Sequence, residues 1–312
     1  MSPPRLAYLL KKFPRLSETF ILNELLGQES LGADLHVFSR RLPDDEPRHP
    51  QLARLRAPVE TLPPSREIDP WTELFVRDDG EVLRRVEALT RRGALALHPR
   101  FPQLLAEAVL LRRRCAELDI GHVHVHFASE GAFVAHLLQM LGGPTYSFTM
   151  HAKDLYRHTV DRALLDRLIT GATFVVTVCD ANVRHLSTFV GAEALRRVHR
   201  LYNGIDLQAF SPDGGPRDAA HVVSVGRLVE KKGFAVLIEA LALLAARGLP
   251  VQGTLVGEPA LAGRVTLAGA LDQSVVVDLL RRATVCCLPC LVGADGNRDA
   301  LPTALLESLA CG

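Results

Sequence analysis

The stretch Val222-Val-Ser-Val225-Gly226-Arg227-Leu-Val-Glu-Lys231-Lys232-Gly233, followed by the periodic segment 235–246, carries the fold. A valine-rich run reads as a strand, and the apolar spacing beyond the loop reads as a helix. Between them lies a basic loop bounded by glycine. Fixed positive charge and close backbone approach are what capture of a phosphate requires. A solvated basic turn after a strand is the simpler alternative.

Outward from this unit, the last fourteen residues read Asp299-Ala-Leu-Pro302-Thr-Ala-Leu-Leu-Glu307-Ser-Leu-Ala-Cys-Gly312. Pro302 is expected within the first turn of a helix, where no N–H partner is lost. Asp299 then precedes the helix and Glu307 projects from its second turn. The free amides of the first turn and the positive end of the helix dipole suit a diphosphate. One ligand would meet a carboxylate at its sugar, amides at its phosphates and a second carboxylate at its ribose. Taken alone, the same pattern fits a capped amphipathic surface helix.

Upstream, strands are expected at 6–10, 34–39, 122–127, 146–150 and 174–178, and downstream at 254–256, 265–267 and 284–288. Helices fill the intervals, among them 81–89, 102–118 and one opened by Ser17 as a cap. Residues 41–79, rich in Pro, Asp and Arg, read as an irregular excursion. Strands alternating with helices predict an α/β chain of doubly wound parallel sheets. The Pro- and Gly-rich run 206–219 predicts a linker between an N-terminal domain, 1–205, and a C-terminal domain, 220–312. Only six residues, 258–263, join the strands at 254–256 and 265–267, where a parallel crossover ordinarily takes about a dozen. Packing there is expected to be unusual.

The chain has 312 residues and a formal net charge of +1, so no global field argues for nucleic acid. Its lysines are confined to positions 11, 12, 153, 231 and 232, beside the segments singled out here. No run approaches the length of a membrane span and the start lacks a signal-peptide core, so a cytoplasmic protein is expected. The six cysteines fit that compartment as small apolar residues. Cys287-Leu-Pro-Cys290 spells a redox spacing, yet it falls at a strand end and reads as core. His122, His124 and His126 alternate and so share one strand face. Three imidazoles there would suit zinc, or they pack as part of a buried sheet.

The basic loop and the Asp299…Glu307 pair resemble the C-terminal half of the retaining glycosyltransferases of GT-B fold. The N-terminal run Leu10-Lys-Lys-Phe-Pro14-Arg-Leu-Ser17-Glu18-Thr19-Phe20-Ile-Leu-Asn-Glu24 adds to the match, with His124-Val-His126-Phe-Ala and Phe148-Thr-Met-His151-Ala-Lys153-Asp154. These look like the colanic acid and amylovoran exopolysaccharide branch of glycosyltransferase family 4. The resemblance implies two Rossmann-like domains facing a cleft, acceptor on the first and nucleotide sugar on the second. It implies Arg227, Lys232 and Gly226 at the diphosphate, Glu307 at the ribose, and Asp299 or instead Asp295 at the sugar. His151 would lie near the transferred sugar, with Lys153 and Asp154 following it as weaker candidates. Ser17, Glu18, Thr19 and His126 would face the acceptor, unless Ser17 only caps a helix whose Glu24 lies on the exposed face.

By the same resemblance the enzyme retains anomeric configuration and needs neither metal nor cofactor, the nucleotide diphospho-sugar being its donor substrate. The acceptor is a lipid-linked oligosaccharide, with peripheral contact at the inner membrane. Family members continue beyond the Glu307 helix with another strand, a glycine-rich loop and terminal helices. The second domain is therefore expected to be incomplete, with an inactive nucleotide-binding fragment as one alternative. A GT-B nucleotide-sugar epimerase is another, which the Pro14–Phe20 segment argues against. A nicotinamide dehydrogenase is disfavoured because no GxGxxG follows the first strand.

Overall fold

Valine, leucine and isoleucine runs form strands that are buried on both faces, the pattern of parallel sheets covered by helices. The structure, a computed structural model, describes residues 5–45, 48–69, 72, 80–91, 98–256, 265–269 and 271–312. It contains two compact units, Met1–Leu155 with Val160–Tyr202, and Asn203–Gly312 with Tyr156–Thr159.

In the first unit the chain runs β1 (Arg5–Leu10), α1 (Thr19–Ser30), β2 (Leu35–Ser39), β3 (Val59–Thr61), α2 (Glu81–Arg91), α3 (Phe101–Glu117), β4 (Ile120–His126) and α4 (Glu130–Met140). It continues with β5 (Thr145–Met150), α5 (Ala152–Tyr156), α6 (Arg162–Gly171), β6 (Val175–Thr177), α7 (Asp180–Leu186), α8 (Ala192–Leu195) and β7 (Val198–Arg200). All pairs are parallel and the order is β3-β2-β1-β4-β5-β6-β7. The order reverses between β1 and β4. Such a switch point leaves a crevice at the carboxyl ends of the strands, where open α/β sheets bind ligands. The core beneath it includes Leu9, Val123, Val125, Phe133, Tyr146 and Phe148, each almost fully buried.

The second unit repeats the plan on a smaller scale. It has β8 (His221–Val225), α9 (Phe234–Ala246), β9 (Gln252–Val256), β10 (Val265–Leu267), α10 (Gln273–Arg282), β11 (Val285–Cys286) and α11 (Thr303–Ala310). Its sheet is parallel in the order β10-β9-β8-β11, with its switch point between β8 and β11.

Several expectations change on contact with the structure. Ser17 is not a cap: it is exposed, and α1 begins at Thr19 after Glu18. The Glu18 N–H bonds back to the Arg15 carbonyl, so a turn precedes the helix. Pro302 lies one residue before its helix, as N-cap. The strand expected over 284–288 pairs only at Val285–Cys286, because Pro289 has no N–H to extend the ladder. Strands β3 and β7 were missed; they are the two edges of the sheet, and their short, largely exposed sequences, VET and VHR, carry no apolar run. Segment 206–219 packs with the second unit and does not run free as a linker. Phe210 is 2% exposed in that unit's core, and Arg281 Nε donates to the Ser211 carbonyl at 2.7 Å. β9 and β10 pair in parallel despite their short connection, which lies outside the described residues, as does part of the 41–79 excursion.

Candidate functional site

In the second unit the basic loop leaves β8 at the switch point. Gly226 follows the strand and Arg227 is exposed, its guanidinium without a hydrogen bond or ion pair to a described residue. A single 3₁₀ turn, Glu230–Lys232, brings the chain to Gly233, which sits in the left-handed region (φ 70°, ψ 22°) and opens α9. The loop docks on the segment that follows β11: Leu291 N–H donates to the Lys231 carbonyl at 2.8 Å, and Ala294 N–H to Glu230 Oε2 at 3.1 Å.

Asp299 lies between the two lysines. Lys231 Nζ is 2.6 Å from its Oδ1 and Lys232 Nζ 2.6 Å from its Oδ2. Burial works against the charge on Asp299, yet the two ammonium groups hold its carboxyl below the usual aspartate range. The Cys290 thiol also reaches Oδ2, at 3.5 Å. Asp295, the alternative carboxylate, pairs with Arg157 at 3.0 Å and accepts from the Asn297 N–H.

Glu307 projects from the second turn of α11, half-buried, its carboxylate without a hydrogen bond or ion pair to a described residue. Burial alone pushes its carboxyl upward. No side chain caps α11; the Leu305 N–H bonds back to the Pro302 carbonyl at 3.1 Å, which leaves the amides of Thr303 and Ala304 available. Leu305 and Cys311 anchor the helix in the core. All six cysteines are free, and Cys287 and Cys290 pack against the α9 core as expected.

The first unit assembles a different set at its own switch point. Along β4, Val123 and Val125 face one side and the three histidines the other. The facing residues of β5 are Thr145, Ser147 and Thr149. Accordingly His122 bonds Thr145 and Ser147 (2.8 and 2.7 Å), and His124 bonds Ser147 and Thr149 (2.8 and 3.0 Å). His126, at the strand end, reaches His151 just beyond β5, Nδ1 to Nε2, at 3.4 Å.

Glu24 enters from α1. It does not lie on the exposed helix face: its carboxylate is 3.3 Å from His126 Nε2 and 3.8 Å from His124 Nε2, and Tyr8 Oη donates to it at 2.8 Å. Burial opposes its charge, but His126, His124 and Tyr8 bring its carboxyl down to about 2. His124 is pushed down to about 3, chiefly by burial and then by His126. His151 falls well below the ordinary imidazole value for the same reasons, with Lys153 adding to the effect. Asp154 is buried and accepts the His151 backbone N–H at 2.9 Å, while Lys153 Nζ lies 3.6 Å from the centre of the Phe127 ring. Glu18 pairs with Arg15 at 3.3 Å, and Thr19 is the first residue of α1.

The zinc alternative changes in composition. The ligand atoms that converge within 4.8 Å of one another are those of Glu24, His124 and His126; His122 is not among them, and β5 hydroxyls engage both nitrogens of His124. Sequence reasoning passed over Tyr8, Glu24 and Lys231 as site residues. Lys231 carried a signal, being in the same basic run as Lys232. Tyr8 and Glu24 carried none, because only the packing of α1 across β1 and β4 brings them to His126.

Residues 17–209 match the family model described as Glycosyltransferase Family 4. The chain belongs to glycosyltransferase family 4. Residues 219–312 of this glycosyltransferase match a second model, Glycosyl transferases group 1. The putative colanic acid biosynthesis glycosyltransferase WcaL of Escherichia coli is 23% identical over 99% of the chain and 80% of its own length. The amylovoran biosynthesis glycosyltransferase AmsK of Erwinia amylovora is 26% identical over 99% and 81%. A glycosyltransferase from Rickettsia africae has the same fold (TM-score 0.68, 12% identity, 99% of this chain and 77% of that one). So does Anabaena HepE, solved with UDP and glucose (TM-score 0.63, 13% identity, 98% and 78%). The fold is GT-B, with an α/β parallel sheet in each unit.

Proposed function

We propose that this glycosyltransferase moves a sugar from a nucleotide diphospho-sugar to a lipid-linked oligosaccharide during exopolysaccharide synthesis, with retention of configuration. The observation that carries the reading is the cluster at the β8/β11 switch point: Arg227, Lys231 and Lys232 on one loop, with Asp299 held between the lysines. Arg227 and Lys232 stabilise charge growing on the departing diphosphate, assisted by the α11 amides. Glu307 accepts the ribose hydroxyls; it is half-buried and lacks donors, which those hydroxyls supply. In the second unit Asp299 bonds hydroxyls of the transferred sugar; in the first, His151 bonds a sugar hydroxyl and Ser17, Glu18 and Thr19 serve the acceptor.

Glu24 bears on the route by which configuration is retained. It is the carboxylate of the first unit's cluster: Tyr8 Oη donates to Oε1, and Oε2 lies 3.3 Å from His126 Nε2. Among the described residues this cluster offers no carboxylate free of partners, so a same-face displacement with an oxocarbenium-like transition state is favoured, the leaving phosphate taking the acceptor's proton. No helix among the described residues is long and apolar enough to cross a membrane. The proposed setting is the cytoplasm, at the inner face of the membrane where such an acceptor is anchored.

Calorimetry with UDP, GDP and ADP tests the donor site. At least one of them is expected to bind, and Arg227→Ala, Lys232→Ala and Glu307→Ala are each expected to weaken it by about tenfold or more, the worth of a charge-assisted hydrogen bond. Unchanged affinity in Arg227→Ala and Glu307→Ala would remove the assignment.

Metal is expected to be dispensable at the diphosphate, since cationic side chains neutralise it. Release of nucleotide from a panel of nucleotide sugars, measured with and without EDTA, checks this. Loss of turnover on chelation, restored by magnesium or manganese, would count against the mechanism.

A further inference from the structure

In the first unit a line of polar groups, Tyr8, Glu24 and His126, leads to His151. Tyr8 Oη donates to Glu24 Oε1 at 2.8 Å, which leaves Oε2 to face His126 Nε2 at 3.3 Å. The other nitrogen of His126 meets His151 Nε2 at 3.4 Å. The two imidazole centres are 5.7 Å apart and their planes differ by 28°. That separation is the N···N distance plus the two ring radii, so the rings meet edge to edge in nearly one plane, as a hydrogen bond needs.

Around this line the alternatives are closed. Both nitrogens of His124 are engaged by Ser147 and Thr149. Phe20 and Phe127 flank the His151 ring, at 4.8 and 4.5 Å between centres. Among the described residues no other side chain hydrogen-bonds that ring.

We propose that Glu24 and His126 are positioning residues that set the tautomer of His151. An ionised carboxylate accepts but cannot donate, so it holds the His126 proton on Nε2. The Nδ1 of His126 is then a bare acceptor and holds the His151 proton on Nε2. His151 is left with Nδ1 as its acceptor, ready for a donor such as a sugar hydroxyl. A buried ring with one partner on each side keeps a single tautomer, so the enzyme meets its substrate already organised. That use of Nδ1 rests on the reading of His151 as a sugar contact given above; the tautomer relay itself does not.

Glu24→Gln separates the two. The glutamine carbonyl accepts from Tyr8 as before, and its amide donates to His126 Nε2. His126 must then carry its proton on Nδ1 and donate to His151 Nε2, which moves the His151 proton to Nδ1. Both rings invert without a change of shape. Side-chain nitrogen–proton correlation spectra of the protein labelled with ¹⁵N-histidine read the tautomers directly.

The native enzyme is expected to show Nε2–H at both rings, Glu24→Gln to show Nδ1–H at both, and Tyr8→Phe, which keeps the carboxylate, to match the native pattern. Nδ1–H at His151 in the native protein would overturn the relay. So would an unchanged His151 in Glu24→Gln, or one zinc ion retained per chain with shifted His124 and His126 nitrogens, which would make Glu24 a metal ligand. Turnover is the second readout. Glu24→Gln is expected to lower kcat for nucleotide release by at least about tenfold with KM for the donor little changed. Inverted tautomers with native turnover would uphold the relay and overturn only the sugar-contact role of His151.

Discussion

Gly233→Ala is expected to destabilise the second unit by about 3 kcal/mol or more and to abolish nucleotide binding. Gly233 has φ 70°, where a side chain already costs roughly 1–2 kcal/mol. Here there is also no room: an added Cβ would lie 1.9 Å from the Pro289 carbonyl oxygen. Backbone cannot rotate out of the way as a side chain can, so the basic loop and the segment after β11 must separate. Separation breaks the Leu291–Lys231 backbone bond and pulls both lysines from Asp299. Gly248→Ala is the control, with φ 78° and nothing within 4 Å of the added carbon. Chemical denaturation of both variants, with calorimetry for nucleotide, checks the expectation. Equal stabilities would mean that the loop contact does not restrain Gly233.

Acid is expected to weaken the first unit progressively from about pH 6.5 downward, before the carboxylates begin to protonate. His136 and His124 are buried and kept neutral, at about 4 and about 3 against an ordinary 6.5. Burial is the main cause in both, with Arg167 adding to it at His136. Their folded values are depressed, so the stability they contribute is complete above pH 6.5. Below that the unfolded chain binds protons that the fold excludes, and stability falls toward pH 4 and then 3. His136 alone accounts for roughly 3 kcal/mol, a large share of the stability of an ordinary domain. Urea unfolding at pH 7, 5.5 and 4.5 should show a steady decline. His136→Gln, which retains a donor for Tyr146 Oη, should flatten the slope. A flat native profile over that range, or an unaltered slope in the variant, would refute the mechanism.

What the sequence by itself determined is the architecture and the places of the basic loop and of the two carboxylates around the last helix. Val222–Val225, the glycine-bounded basic loop and the following helix are contiguous, so strand, loop and helix were legible from local periodicity, and Arg227 and Lys232 came with them. Asp299 and Glu307 were legible for the same reason, with Pro302 displaced by only one residue. The edge strands were lost: β3 and β7 are exposed and carry no apolar run, and segment 206–219 looks like a linker until Phe210 is seen in a core.

Only the tertiary structure decided the rest. The lysines' partner, Asp299, is 68 residues from Lys231, and no pattern in either segment announces the pairing. Tyr8, Glu24, His126 and His151 lie on β1, α1, β4 and just beyond β5, elements that become neighbours because the sheet order reverses at β1/β4. Alternation along β4 placed the three histidines on one face, but their roles differ because their neighbours differ. Hydroxyls of β5 engage His122 and His124, whereas His126 stands at the strand end between a carboxylate and a second imidazole. Local periodicity sets which side of an element a residue occupies; what it meets there depends on strand order and register, which are properties of the whole packed sheet.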